Sequence, residues 1–217
     1  MTKQAYIHAL RFQRLNEVYD PLIRHFLREN TFKGRLIQQA QIQPGQRVLD
    51  IGCGTGTLTL LIKQRHPDSD VGGIDGDPEI LAQARAKALI SGANVTFAQG
   101  MAFALPYPDN SFDRVLSSLV FHHLTRENKR QAIAEIHRVL RPAGEVHFAD
   151  WGRPQNIVMR AAFLSVQLLD GFGTTQDSVR GHLVELLTEA GFQEARETAA
   201  FMTMIGSLCL YRARKDS

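Results

Sequence analysis

Long apolar runs, cysteine and a secretory leader are all scarce or absent in this sequence of 217 residues. No stretch approaches the ~18 apolar residues that a transmembrane helix needs, and the first twenty residues are polar, unlike a secretory signal. The two cysteines, Cys53 and Cys209, lie far apart and indicate neither a disulfide framework nor a zinc site. These absences favour a cytoplasmic protein with no integral membrane segment and no bound metal.

A strong charge of one sign is also lacking, since 25 Lys+Arg face 22 Asp+Glu and the net charge is +3. A nucleic-acid-binding protein usually concentrates its positive charge on one face. Here the basic residues are scattered among acids, so we expect no nucleic-acid partner. One basic run is either a solvated surface or a weak patch for anionic surfaces, and transient membrane contact stays open. Its members are Arg11, Arg14, Arg24, Arg28, Lys33 and Arg35.

The composition is that of an ordinary globular chain, with 44% hydrophobic and 22% charged residues. A single domain of this length buries roughly 70% of its unfolded surface and needs no covalent staple. We expect three parts within one domain. They are an N-terminal helical lid at 1–44, an α/β core at 45–150, and a helical insert with a terminal hairpin at 151–217.

Short apolar runs alternate with amphipathic segments after residue 46. The predicted strands are 48–51, 71–74, 95–99, 113–117 and 146–150. The predicted helices are 32–39, 58–65, 79–89, 126–140 (closed by residues 141–144), 161–169 and 179–190. Two further strands, near 194–199 and 204–211, form a hairpin. This alternation predicts an α/β fold with a doubly wound, mostly parallel sheet, and the hairpin requires one antiparallel strand.

A glycine-rich turn follows the first predicted strand, in the segment VLDIGCGTG at 48–56. The spacing G-x-G-x-G lets a ligand approach the backbone closely. A dinucleotide fingerprint would need a glycine at position 57, which is Thr57. The Gly-Lys-Ser/Thr ending of a phosphate loop is missing too. The turn therefore indicates a ligand without a pyrophosphate.

An acid, Asp75, stands at the end of the next predicted strand, in GGIDGDPEIL. A carboxylate there can accept two hydrogen bonds from the vicinal hydroxyls of a ribose, each worth roughly 1.5–3 kcal/mol. Asp77 is the alternative, but it precedes Pro78 and is better suited to cap a helix. The turn and the acid together predict a nucleoside ligand.

Five segments, in order, resemble the motifs of class I S-adenosylmethionine-dependent methyltransferases, most closely the ubiquinone/menaquinone-biosynthesis-like small-molecule group. They are VLDIGCGTG, GGIDGDPEIL, ALPYPDNSFDRV, SSLVFHHL and RVLRPAGEVHFADW. The resemblance covers about residues 19–150 well and the rest loosely. It implies a Rossmann-like seven-stranded sheet with an antiparallel last strand, S-adenosyl-L-methionine as cofactor, and methylation of a small-molecule acceptor.

The resemblance also assigns the cofactor-binding residues. The methionine part would lie against Asp50, Gly52, Cys53 and Gly54, and the ribose against Asp75 and Gly76. The adenine would lie beside Met101 and Ala102, and Ser117 would pass under the sulfonium. Met101 is a departure, because relatives often have an Asp there that accepts a hydrogen bond from the adenine amino group.

The acceptor side of the site is predicted less sharply. The candidate general bases are His122, His123 and Asp150, in that order, and each histidine is structural in the alternative reading. The candidate substrate-binding residues are Tyr19, His122 and Trp151, although Trp151 could simply pack. Cys53 is expected to pack in the turn and His147 to lie in the core.

The class of acceptor is partly bounded. Enzymes that methylate nucleic-acid bases or protein amides carry an Asn/Asp-Pro-Pro-Tyr-type motif where this chain has Ser-Ser-Leu-Val at 117–120. The predicted lid and insert are rich in Phe, Leu and Val, which favours an apolar, lipid-like acceptor. The alternatives are a non-catalytic S-adenosylmethionine-binding protein and another nucleotide-using α/β enzyme. The oligomeric state is not predicted.

Overall fold

A computed structural model describes residues 29–152, 182–203 and 206–217. The helices are α1 Glu29–Ala40, α2 Thr57–Arg65, α3 Pro78–Ser91, α4 Arg126–Val139 and α5 Leu183–Glu189. The strands are β1 Arg47–Ile51, β2 Asp70–Asp75, β3 Thr96–Gln99, β4 Phe112–Ser118, β5 Leu140–Trp151, β6 Gln193–Thr203 and β7 Gly206–Arg214. A 3₁₀ turn spans Phe121–His123. Of the described helices, none is both long and apolar enough to cross a bilayer.

The strands form one seven-stranded sheet in the order β3-β2-β1-β4-β5-β7-β6. Neighbours from β3 to β5 pair in parallel, and β7 runs antiparallel to both β5 and β6. The predicted doubly wound sheet with an antiparallel last strand is therefore confirmed. The order reverses between β1 and β4, and ligands of such sheets bind in the crevice at this switch point.

Two apolar clusters cover the two faces of the sheet, because alternate strand residues point to opposite sides. Leu49 and Val115 pack with α4 and α5, whereas Val48 and Leu116 pack with α1 and α2. The part of the predicted lid that the structure describes, α1, contributes buried residues to the second cluster. Predictions for residues 1–28, including Tyr19, and for the insert at 161–169 lie outside the described residues.

The predicted element bounds hold to within about two residues from β1 to α3, but β5 differs. It begins at Leu140, where the sequence predicts a helix end and a break at 141–144. Those residues form an irregular stretch of strand, with a register shift against β4 and Ala143 at φ 61°. The end of the chain holds this stretch, since Ala143 N–H donates to Asp216 O at 3.0 Å and Lys215 N–H to Gly144 O at 2.9 Å.

Candidate active site

The glycine-rich turn between β1 and α2 needs glycine because its backbone adopts positive φ angles and because a side chain at Gly52 has no room. Gly52 lies at φ 66°, and a Cβ there would overlap the side chain of Val120. Gly54 lies at φ 53°, but a Cβ there would meet no atom within 4 Å, so open space lies above it. The N–H groups of Gly52 and Cys53 both donate to Ile74 O, at 2.8 and 3.0 Å. The backbone thus holds the turn against the end of β2.

Asp75, the last residue of β2, bridges the turn and the start of α3. Its Oδ2 accepts from Gly54 N–H at 2.9 Å and its Oδ1 from Asp77 N–H at 3.0 Å. A carboxylate has about four lone-pair sites, so each oxygen can accept one further bond, as two ribose hydroxyls require. Asp77 accepts from the N–H groups of Glu79 and Ile80, which confirms that it caps the helix.

Two buried groups, Asp50 and Cys53, support the turn from beneath. Asp50 is 1% exposed and accepts from the Thr59 hydroxyl of α2 at 2.7 Å. Burial raises the pKa of Asp50 to about 7. Burial also raises the pKa of the Cys53 thiol, which is directed at the Gly54 carbonyl. Cys53 therefore packs in the turn, as predicted, and burial keeps its thiol protonated.

The predicted adenine segment lies beside Asp75. Gly100 N–H donates to the Asp75 carbonyl at 3.0 Å, which ties the segment to the end of β2. Met101 pairs with Ala104 in an isolated bridge and is half-buried. Its thioether can pack against a ring but accepts hydrogen bonds only weakly.

On the other side of the switch point, Asp150 near the end of β5 organises the chain after β4. Its Oδ2 accepts from the N–H groups of Phe121 at 2.7 Å and Val120 at 3.1 Å. Its Oδ1 accepts from Trp151 N–H at 2.8 Å and lies 2.7 Å from His122 Nδ1. Burial acts to raise the pKa of Asp150, but the His122 ring and these donors lower it overall. Asp150 is thus an ionised carboxylate with four partners.

Two aromatic residues flank His122, which is 4% exposed. The ring of His123 lies 3.9 Å from that of His122, centroid to centroid, and the ring of Trp151 lies 6.3 Å away at 73°. The neighbouring His122 and desolvation lower the pKa of His123, so it is neutral at pH 7. The structure therefore brings together His122, His123, Asp150 and Trp151, all predicted for this side. His147, also predicted for the core, is fully buried.

The chain between β4 and the 3₁₀ turn connects the two sides. Ser117 is buried, and its hydroxyl donates to Ile51 O at 2.8 Å where β1 leaves the sheet. Leu119 lies at φ 59°, a conformation that costs a residue other than glycine about 1–3 kcal/mol. This bend places Val120 over Gly52 and two N–H groups on Asp150. The sequence carries no signal for this role of Leu119.

The arrangement fits S-adenosylmethionine in its shape and donor set. Open space lies over Gly54, the carboxylate of Asp75 borders it, and a side chain at Gly52 would disturb the contact with Val120. Thr57 at the start of α2 agrees with a ligand that lacks a pyrophosphate. The predicted cofactor residues thus lie together at the carboxyl ends of β1 to β4.

Comparisons with known proteins agree with this geometry. A family described as a methyltransferase domain matches residues 48–144. An uncharacterized methyltransferase of Synechocystis sp. is 31% identical over 188 residues, which cover 87% of this chain and 84% of the relative. The ubiquinone/menaquinone biosynthesis C-methyltransferase of Shewanella sediminis is 33% identical over 185 residues, which cover 75% of this chain and 72% of the relative. The crystal structure of YcgJ from Bacillus subtilis shares the fold, with a TM-score of 0.71 at 21% identity over 85% of this chain and 98% of that one.

Proposed function

The chain belongs to the class I S-adenosylmethionine-dependent methyltransferases, in the group related to ubiquinone and menaquinone biosynthesis, and we propose that it methylates a small, apolar acceptor of the hydroquinone type. The observation that carries this proposal is the His122–Asp150 pair at 2.7 Å, on the same sheet edge as the glycine-rich turn. The name of the Shewanella relative supports the acceptor class, as do the apolar neighbours Phe121 and Trp151.

The cofactor supplies a methyl group already activated by a positively charged sulfur, so the protein mainly provides proximity and in-line geometry, worth on the order of 7–11 kcal/mol. An aromatic carbon that takes up the methyl group must lose its own proton, and the acceptor becomes a better nucleophile when its hydroxyl is deprotonated. A base beside the acceptor therefore assists the reaction.

His122 is the base that the geometry favours. Since the Asp150 carboxylate can only accept hydrogen bonds, it selects the tautomer in which His122 Nδ1 carries the proton. The other ring nitrogen, Nε2, is then the one that can take a proton from the acceptor hydroxyl. Asp150 has four donors on its two oxygens, so we assign it a positioning role. His123 is the weaker candidate, because its lowered pKa makes it a poorer base.

The test supplies the full chain with methyl-deuterated S-adenosylmethionine and a 1,4-naphthohydroquinone that carries a short isoprenoid chain and no ring methyl. Mass spectrometry of the product should show one transferred deuterated methyl group. His122→Gln should lower turnover by roughly 10²–10⁴-fold without weakening the binding of S-adenosylhomocysteine, and His123→Gln should cost less than tenfold.

Two results would count against the proposal in different ways. If the wild type binds S-adenosylhomocysteine but no hydroquinone is methylated, the acceptor class is wrong. If the hydroquinone is methylated equally well by His122→Gln, the base assignment is wrong and the acceptor class stands.

A further inference from the structure

Val120 connects the two sides of the switch point through its side chain and its main chain. A Cβ at Gly52 would have Val120 Cγ2 as its nearest neighbour, followed by Cγ1 at 2.9 Å and Cβ at 3.2 Å. Both methyl groups of Val120 therefore lie against the Gly52 backbone. On the acceptor side, the Val120 N–H donates to Asp150 Oδ2 at 3.1 Å, and the 3₁₀ turn that carries His122 begins directly after Val120. One residue thus contacts both the cofactor turn and the carboxylate that holds the base.

The Gly52 end of this contact is held firmly in place. Gly52 N–H donates to Ile74 O at 2.8 Å, and the Ser117 hydroxyl donates to the preceding carbonyl, Ile51 O, at 2.8 Å. Gly52 also has no side chain that could move aside. Val120 is stiff as well, because a valine carries two methyl groups on Cβ and has few rotamers. A displacement of the Gly52 backbone therefore displaces Val120 with it.

Asp150 and Val120 hold His122 against different parts of the molecule. The Asp150 carboxylate, 2.7 Å from the His122 ring, sets the orientation of that ring relative to β5. It does not relate the ring to the glycine-rich turn, where the methyl donor binds. The side-chain hydrogen bond between the ends of β4 and β1 precedes the bend at Leu119, so it does not determine where the residues after the bend lie. The contact of Val120 with Gly52 follows the bend and provides this relation.

We infer that Val120 is a positioning residue for methyl transfer, and that it sets the distance between His122 and the methyl group of the bound cofactor. This inference rests on the proposed function, because it takes His122 as the base beside the acceptor. The acceptor has to lie between the two, in line with the carbon–sulfur bond that breaks, and a misplacement of about 1 Å can lower the rate ~10²-fold. Without the two methyl groups of Val120, the turn that carries His122 can approach or recede from Gly52 while its bonds to Asp150 remain.

The first measurement compares the turnover of Val120→Ala, Val120→Thr and the wild type with saturating S-adenosylmethionine and the hydroquinone. Val120→Ala should lower kcat by about 10–100-fold and leave the Kd of S-adenosylhomocysteine unchanged, because the main-chain bonds of the glycine-rich turn remain. Val120→Thr keeps the branched shape and should recover most of this loss. The matched control is Val115→Ala, the same truncation at a fully buried site in β4. It should lower the Tm by more than Val120→Ala does and leave kcat unchanged.

The second measurement needs no acceptor. It follows the ring signals of ¹⁵N-labelled histidine by NMR, with the His122 signal assigned from its absence in His122→Gln. Saturation with S-adenosylhomocysteine should shift the His122 signal of the wild type, because the occupied turn acts on His122 through Val120. In Val120→Ala the shift should be much smaller at the same saturation. His137, near the end of α4 and close to Asp216, is the internal reference and should not shift in either protein.

The outcomes separate this inference from the proposed function. If the wild type binds S-adenosylhomocysteine but methylates no hydroquinone, the acceptor class is wrong, and the His122 signal alone decides the role of Val120. An unchanged kcat in Val120→Ala, or a His122 shift as large as in the wild type, overturns that role. A loss of kcat that Val120→Thr does not recover overturns it too. If Val120→Ala fails to fold, Val120→Leu serves for the same comparisons, because it moves the branch away from Cβ and keeps the side chain apolar.

Discussion

The two sides of the switch point are built by different means. On the cofactor side, the backbone sets the site: positive φ angles at Gly52 and Gly54, and main-chain N–H groups bound to Asp75 and to Ile74 O. On the acceptor side, one buried side chain, Asp150, holds two loop amides, the amide of its neighbour and a histidine ring. The first side depends on local turn geometry, and the second depends on a single ionised group in the core.

This difference predicts how each side fails. A half-exposed acid such as Asp75 can lose its charge with modest cost to the fold, so a change there should act mainly on ligand binding. A fully buried carboxylate with four donors cannot lose its charge without a large cost to the fold, because several buried donors are then left without an acceptor. Changes on the acceptor side should therefore reduce stability and turnover together.

Asp150→Asn should have the largest effect. An amide offers one acceptor oxygen where the carboxylate offers two, and it places an NH₂ group against main-chain N–H groups. We expect a loss of about 3–5 kcal/mol in the free energy of unfolding and a fall in turnover of at least the ~10²-fold expected of a lost base. Urea unfolding followed by fluorescence and the methyl-transfer assay would measure both.

The matched variant is His122→Gln, which removes the histidine but leaves the carboxylate and its backbone donors in place. If Asp150→Asn lowered turnover as His122→Gln does while leaving stability unchanged, the buried acid would serve the histidine alone. The contrast between the two sides would then be wrong.

Asp75→Asn should have the second-largest effect, and this effect should be confined to ligand binding. S-adenosylhomocysteine at 100 times its Kd should stabilise the wild type by ~2.7 kcal/mol, a rise in Tm of roughly 5–11 °C. The variant should lose most of this rise, because the ribose hydroxyls lose their charged acceptor. Its Tm without ligand should fall by less than Asp150→Asn causes.

The control is Asp70→Asn, at the other end of β2, where an exposed ion pair with Arg47 is worth little. It should keep the full rise in Tm. A large loss of Tm in ligand-free Asp75→Asn would show that the bonds to Gly54 and Asp77 are as structural as those of Asp150.

The same contrast explains what the sequence could predict. Gly52, Gly54 and the cap at Asp77 follow from rules that act over a few residues, and the structure agrees with them. Three of the four partners of Asp150 lie 28–30 residues away in the sequence, so the sequence presents it only as a candidate base. Lys33, placed in an exposed basic run by the sequence, is buried for the same reason, since its burial depends on how α1 packs against the sheet.

The break predicted at 141–144 fails for a long-range reason as well. Pro142 and Gly144 resemble a helix end, but main-chain bonds to residues 215 and 216 draw this stretch into β5. The turn on the cofactor side could thus be predicted from local motifs. The acceptor side and the start of β5 could not, because they depend on contacts between distant parts of the chain.

Asp50→Asn should have the smallest effect at pH 5, where the native Asp50 is still protonated, and should show mainly as a change in pH dependence. Burial raises the pKa of Asp50 from 3.8 to about 7 in the folded protein. Between these values the native state holds a proton that the unfolded chain has released, so the contribution of Asp50 to stability is full below pH 4 and decreases as pH rises toward 7. Relative to Asp50→Asn, the free energy of unfolding of the wild type should therefore fall by about 1 kcal/mol per pH unit from pH 5 to 6.5.

Urea titrations of both proteins across this range would measure the difference. The contributions of the other titrating groups cancel in this difference, because both proteins share them. Parallel curves would mean that the charge of Lys33, which acts to lower the pKa of Asp50, keeps Asp50 ionised, and the buried charge on the cofactor side would then be a full ion pair, as costly to break as the one at Asp150.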